Sequence, residues 1–277
     1  MRLSFAFKCF AGAGSVRIRF LGNISYEQTR KTKLKIIPVL DILNGFAVHA
    51  IRGLRKEYKP LKSVISVSPD PLEVARAFEN LGFTELYIAD LDAISGVDCS
   101  FSSIGKIVDG SNIRLMVDGG VSDIRRAREL LQIGVSKIIV GTETLTSMDF
   151  VEEVIRFLGR ERVLLSLDLR NGHLITNLGS DVPTEPLSLL RRLCEMGLTQ
   201  VILLDLARVG CGEGADTAFL RHLLGDFDLK VYVGGGVGSC EDLLQLKELG
   251  ATGVLLATAL HSGVIRAGRL VEVGLEL

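Results

Sequence analysis

The sequence predicts an α/β protein, a (βα)8 TIM barrel built from two homologous half-barrels. Three observations carry this expectation. From Leu34 onward, short apolar runs alternate with longer amphipathic stretches, the pattern of βα units around a parallel sheet. Residues 34–277 make a segment of 244 residues, close to the ~250 typical of an eight-stranded βα barrel. The two halves of that segment also match each other, which an open doubly wound sheet gives no reason to expect.

The eight apolar runs are 36–40, 85–89, 113–117, 137–140, 163–167, 200–204, 230–233 and 253–256. Helix-like stretches lie between them. Residues 71–81 have Asp70 placed as N-cap and Pro71 at the first helical position. Residues 123–133 set Ile124, Ala127, Leu130 and Leu131 on one face, with Gly134 as the stop. Residues 241–249, ending at Gly250, are built the same way. Three blocks repeat in order. Residues 37–45 lie over 164–172, and 82–90 lie over 197–205. Val117, Gly119, Gly120, Val121, Leu130, Gly134 and Thr142 lie over Val233, Gly235, Gly236, Val237, Leu246, Gly250 and Thr258.

The whole chain has a net charge of −1, and that figure hides a division. Residues 1–33 carry seven basic side chains and the single acid Glu27, whereas 34–277 has a net charge of −7. We therefore divide the chain into a basic N-terminal extension, 1–33, and a barrel, 34–277, and expect the extension to be dispensable or a mis-assigned start. The acidic body argues against nucleic-acid binding, which needs a basic surface. No run of 18 uncharged apolar residues exists, so no membrane-spanning helix is expected. Five scattered cysteines, never spaced CxxC, suit a cytoplasmic protein and argue against a disulfide framework or zinc ribbon.

In a βα barrel the active site lies at the C-terminal ends of the strands. The repeat puts Asp41 after strand one and Asp168 after strand five, facing each other across the mouth. One acid and one base on opposite walls can work on one small substrate, provided their surroundings push their pKa values apart. The blocks Asp118-Gly119-Gly120 and Gly234-Gly235-Gly236 each end a strand and open a helix, where backbone N–H groups can approach a phosphate. Gly141-Thr142 and Ala257-Thr258 follow one unit later and complete each expected cradle. The expected phosphate-binding residues are thus Gly119, Gly120, Gly141, Thr142, Gly235, Gly236, Ala257 and Thr258, and the expected ligand carries a phosphate at each end. Asp90, Asp92 and Asp205 either order loops or contact substrate hydroxyls. Asp118, an acid where the other half has Gly234, is a candidate third catalytic carboxylate. His49 and His173, in loops after strands one and five, are candidates for proton transfer or simply polar loop positions. His222 and His261 fall on helices and read as structural. No metal-ligand spacing is present, and no metal or other cofactor is expected.

These residues resemble the HisA/HisF family of histidine-biosynthesis barrels. The resemblance rests on 36–41 followed by Asn44-Gly45, Asp90-Leu91-Asp92, Asp118-Gly119-Gly120 with Gly141-Thr142, Ser166-Leu167-Asp168 with Asn171-Gly172, and Gly234-Gly235-Gly236-Val237. It covers essentially all of 34–262. It implies two half-barrels from a duplication, a phosphate site in each, and a bis-phosphorylated ribonucleotide-like substrate. In the isomerase branch an aminoaldose becomes an aminoketose, an Amadori rearrangement. By that likeness Asp168 acts as acid on the ring oxygen and Asp41 as base at C2. In the cyclase branch a glutaminase partner supplies ammonia.

The sequence also departs from the isomerase pattern after strand six. That pattern reads roughly Thr-Asp-Ile, two residues, then Asp-Gly-Thr; here Leu204 and Val209 replace the hydroxyl and the second acid. The loop 52–60 is rich in base. The chain accordingly looks most like a divergent HisA/HisF-related branch of methanogens and methylotrophs. The leading expectation is an isomerase-type acid–base enzyme on a phosphorylated amino-sugar or ribonucleotide-like substrate. The alternatives are a HisF-like cyclase or lyase, an unassigned step of one-carbon cofactor biosynthesis, and a non-catalytic phosphate-ligand-binding barrel.

Overall fold

The computed structural model describes residues 33–97, 101–179 and 183–277. The expectation for the basic extension therefore lies outside the described residues, apart from Lys33.

The first half begins with β1 (Lys35–Leu43), β2 (Phe46–His49), a 3-10 turn at Arg55–Glu57 and β3 (Lys59–Pro60). It continues through α1 (Pro71–Asn80), β4 (Glu85–Asp90), α2 (Leu91–Ile94), α3 (Ser102–Gly110), β5 (Arg114–Asp118), α4 (Ile124–Ile133), β6 (Lys137–Gly141) and α5 (Met148–Leu158). The second half holds β7 (Val163–Arg170), β8 (His173–Leu174), α6 (Pro186–Glu195), β9 (Gln200–Asp205), α7 (Thr217–Asp226), β10 (Lys230–Gly234), α8 (Cys240–Leu249), β11 (Gly253–Leu256), α9 (Thr258–His261) and α10 (Ala267–Glu272). Eight strands run parallel in the order β11-β10-β9-β7-β6-β5-β4-β1, and β11 pairs β1 to close the ring. The result is the (βα)8 barrel the alternation predicts.

Several predicted strands stop short of the observed ones. Asp41, Asp90, Asp118, Asp168 and Asp205 all lie within strands rather than after them. The apolar runs end where these carboxylates begin, but the backbone ladder continues: Asp41 pairs with Ala89 and Val48, and Asp168 with Leu204. Likewise His49 and His173 lie on β2 and β8, not in loops.

Helix ends follow the local chemistry. The Asp70 carboxylate accepts from the amides of Leu72 and Glu73, with Pro71 needing no partner at the first position. Asp123 caps α4 and Ser239 caps α8, one repeat apart, and Gly134 and Gly250 end them with φ of 107° and 95°. Each half also opens with an Asn-Gly hairpin. Asn44 and Gly45 have φ of 52° and 77°, and Asn171 and Gly172 have 53° and 78°, the signature of a tight type I′ turn.

Alternation along the strands sorts side chains into two cores. Ile36, Leu40 and Ile42 face outward with Leu86, Ile88, Val117 and the helices. Ile37, Tyr87, Met116, Ile139, Leu164, Ile202, Tyr232 and Leu255 fill the ring. With a period of two, Asp41 shares the inner face with Ile37, Asp118 with Met116, and Asp168 with Leu164. At the N-terminal end of the strands, Glu85 accepts from Lys35 at 3.0 Å and Arg114 at 3.2 Å, and Lys137 donates to the Tyr232 hydroxyl at 3.3 Å.

Candidate active site

At the C-terminal ends of the strands lies a cavity of about 900 Å³. Asp41, Asp118 and Asp168 enter it from β1, β5 and β7, so the two expected catalytic carboxylates share one chamber with the third. Asp118 and Asp168 sit close together. A Cβ built on Gly141 would lie 3.3 Å from an oxygen of each, so a glycine at this position lets both carboxylates converge.

Asp168 is the most heavily bonded of the three. One oxygen accepts from the Ser166 hydroxyl at 2.6 Å. The other accepts from the Thr142 hydroxyl and the Glu143 amide, both at 3.3 Å. Burial raises its pKa to about 6, with the Ser166 hydrogen bond opposing that rise. Asp118 accepts from the Gly120 amide at 3.2 Å. Burial first, and then the neighbouring Asp168 charge, push Asp118 up to about 8. Asp41 keeps an edge toward the cavity but is otherwise surrounded by protein. That desolvation lifts it to about 7 against the pull of Arg55. Near neutral pH the chamber thus holds carboxyl groups in both protonation states.

Four residues not predicted as site residues complete the wall. Arg55, from the 3-10 turn over the mouth, pairs with Glu143 after β6. Tyr58 follows on the same loop, and burial raises its hydroxyl to about 12, so it stays protonated. Arg170, at the end of β7, lines the cavity beside Gly53. The basic composition of 52–60 signalled Arg55; nothing local marked Tyr58, Glu143 or Arg170. Apolar residues Ile175, Leu204, Leu206 and Val209 also line the cavity, Leu206 beside Gly53 and Arg170.

The two expected phosphate cradles differ. Gly234, Gly235, Gly236, Val237 and Gly238 line the cavity together with Ala257, Thr258 and Ala259. Gly119, Gly120, Gly141 and Thr142 are buried and lie outside its wall. The other candidates serve the scaffold. Asp90 caps α2 through the Ala93 amide at 3.0 Å, and Asp92 accepts from the Asn44 amide at 2.6 Å. Asp205 accepts from the Ala207 amide and from Arg208 at 3.0 and 3.1 Å. His49 bonds the Thr258 hydroxyl at 3.1 Å, and His173 is exposed on its hairpin. His261 is buried against Ser63, and desolvation holds its pKa down to about 4. Among the described residues, no cluster of His, Cys, Asp or Glu could hold a metal ion. No described helix is long and apolar enough to cross a membrane.

A closed βα ring with carboxylates at the C-terminal ends of its strands is the arrangement in which barrels of this class carry their sites. The family described as Histidine biosynthesis protein matches residues 35–266, and the chain belongs to it, the HisA/HisF family. An uncharacterized protein of Methanocaldococcus jannaschii is 38% identical over 84% of this chain and 95% of its own length. A phosphoribosyl-imidazole-4-carboxamide isomerase of Synechocystis is 32% identical over 86% of this chain and 93% of its own. The isomerase of that name from M. jannaschii is 27% identical over 86% and 98%. Of these two proteins from one archaeon, the chain is the more similar to the uncharacterized one.

Proposed function

We propose that the chain is an isomerase-type acid–base enzyme acting on a phosphorylated amino-sugar or ribonucleotide-like substrate. The observation that carries this reading is the convergence of Asp41, Asp118 and Asp168, all shifted toward neutrality, in one cavity walled by the Gly234–Gly238 backbone. An aldose–ketose rearrangement needs a proton delivered to the ring oxygen and another removed from C2. A carboxyl and a carboxylate with pKa values of about 7 and about 6 can do both near neutral pH. In the unliganded site Asp168 is the more acidic of the pair, because Ser166, Thr142 and Glu143 donate to it. For Asp168 to act as the acid, the bound substrate must exclude water and raise it further. Comparing the pH dependence of kcat with that of kcat/KM tests this assignment, since the two report the bound and free enzyme. The barrel is proposed to be complete without residues 1–33 and to work in the cytoplasm.

The apolar residues Leu204, Leu206 and Val209 favour a divergent substrate over the histidine intermediate itself. So does the 38% likeness to the uncharacterized archaeal protein against 27% to that organism's isomerase. Expression in an isomerase-deficient histidine auxotroph separates the two. Growth identifies the histidine-pathway substrate; no growth from a soluble, folded protein assigns it to a different phosphorylated compound.

A further inference from the structure

We propose that the Tyr87 hydroxyl and the Asp118 carboxyl form an oxyanion site, which holds the substrate oxygen that gains charge when the neighbouring carbon loses a proton. The substrate is then a phosphorylated sugar whose open-chain form has an enolisable carbonyl. The inference rests on the acid–base reading above and gives Asp118 its part in it.

Tyr87 lies on β4 and Asp118 on the adjoining β5, where Tyr87 pairs with Met116 and Ala89 with Asp118. With a period of two, both side chains point into the ring, Asp118 one step nearer the mouth, and both line the cavity. Tyr87 is 5% exposed and Asp118 6%. Among the described residues, the only enclosed side-chain nitrogen or oxygen without a partner is Arg126 Nε. The Tyr87 hydroxyl also has no hydrogen-bond partner there, so it keeps a face to the cavity. Tyr232, the other buried tyrosine of the ring, accepts from Lys137 at 3.3 Å. A buried hydroxyl with no protein partner costs stability, and a ligand can supply the missing partner. One Asp118 oxygen accepts from the Gly120 amide at 3.2 Å, and the other meets Asp168 at Gly141 with no donor of its own.

Asp168 has three donors, Ser166, Thr142 and Glu143, against one for Asp118. Two carboxyl groups that meet in a dry site do not both ionise, so the charge settles on Asp168 and the proton on Asp118. Burial first, then Asp168 on β7 and Glu143 after β6, favour the neutral form of Asp118, while the Gly120 amide and Arg55 oppose them; the balance lies at about 8. Burial and then the surrounding carboxylates also hold the Tyr87 hydroxyl well above its ordinary range. Near neutral pH both groups are therefore donors. The fold does not require them: the repeat puts Ile202 in the place of Tyr87 and Gly234 in that of Asp118, and neither side chain can donate.

From the ketose side, Asp41 or Asp168 takes a proton from the carbon beside the carbonyl. The C–H pair becomes the C=C bond, and the carbonyl π pair moves onto oxygen. Tyr87 and Asp118 donate to that oxygen and keep their protons, and the reverse reaction passes through the same species.

Calorimetry on the full chain compares 4-phospho-D-erythronohydroxamate, a mimic of the ribose 5-phosphate enediolate, with ribose 5-phosphate itself. The parent should bind the hydroxamate at least ~10²-fold tighter, the low end for transition-state mimics. Tyr87→Phe and Asp118→Leu should each lose at least ~10-fold of that preference, the worth of one hydrogen bond to a charged group. Asp118→Asn keeps a neutral donor and should retain it. Circular dichroism confirms folding, and Tyr87→Phe should melt no lower than the parent, whereas a hydroxyl with a structural role would lower the midpoint. A preference that survives both Tyr87→Phe and Asp118→Leu, or an Asp118→Asn loss as large as that of Asp118→Leu, would overturn the oxyanion site. Equal binding of the two compounds by the parent would also overturn it and leave the phosphorylated-sugar reading standing. Binding of neither would overturn both.

Discussion

The two halves of the barrel repeat local backbone features and differ in the loops that follow their strands. Their hairpins have nearly the same φ values, and their third-unit helices are capped and stopped at matching positions. Yet the loops after β5 and β6 turn their amides inward onto Asp118 and Asp168, whereas those after β10 and β11 open onto the cavity. The equivalent positions differ at two of these residues, Asp118 against Gly234 and Glu143 against Ala259, and only the first exchange supplies an acceptor for an amide of the loop. Asp41 and Asp118 come from the first half and Asp168 from the second, so the carboxylate cluster spans both halves with the fold unchanged.

The strongest way to break that comparison is through the carboxylates. Asp168→Asn and Asp41→Asn should each lower turnover by ~10²–10⁴-fold, the usual worth of a positioned acid or base. Full activity in both, measured on the true substrate, would remove the acid–base assignment.

The glycines sharpen the contrast next. A Cβ at Gly236 would meet the Gly214 carbonyl at 2.2 Å, and one at Gly120 the Ala93 carbonyl at 2.4 Å, both at positive φ. Each Gly→Ala change should cost at least ~1–3 kcal/mol, read from denaturant midpoints. Only Gly236→Ala should also weaken phosphate binding.

A third test concerns pH. Burial raises Asp118 from the ordinary 3.8 to about 8, so between those values the folded chain holds a proton that the unfolded chain releases. Its contribution to stability is complete below pH 3.8 and declines as pH rises toward about 8. Asp118→Asn should therefore be more stable than the parent at pH 8, by on the order of 2 kcal/mol, and gain little near pH 4. Gly234, its counterpart, contributes no such slope. Urea midpoints at the two pH values give the answer.

The smallest effect should show the halves as equals. Asp123→Ala and Ser239→Ala each remove an N-cap and should cost ~1 kcal/mol. The second should cost slightly more, because Ser239 and Asp242 form a reciprocal capping box. A thermal-melt series on the two variants checks this.

The site was legible in the sequence to different depths. Asp41, Asp118 and Asp168 stood out because polar residues interrupt apolar runs at matching ends of a repeat. The Gly-Gly pairs stood out because two strand ends carry them. What each pair does was not legible, since both blocks read alike as cradles. Strand ends were drawn short at Asp41 and Asp168 because apolar patterning does not register a carboxylate that remains in the ladder. Tyr58, Glu143 and Arg170 come from two loops and the end of β7 and carry no local signature.

By itself the sequence determined the alternation of strand and helix, the caps and the Asn-Gly turns, because each follows from residues within a few positions of one another. Only the tertiary structure decided which glycine loop faces the cavity and which is spent on the protein's own carboxylates. That choice depends on the direction of individual amides once the strands have paired, when Thr142 meets Asp168 across β6 and β7 and Arg55 meets Glu143 across the mouth. Partners separated in the chain are brought together by strand pairing around the ring, and no local pattern records the meeting.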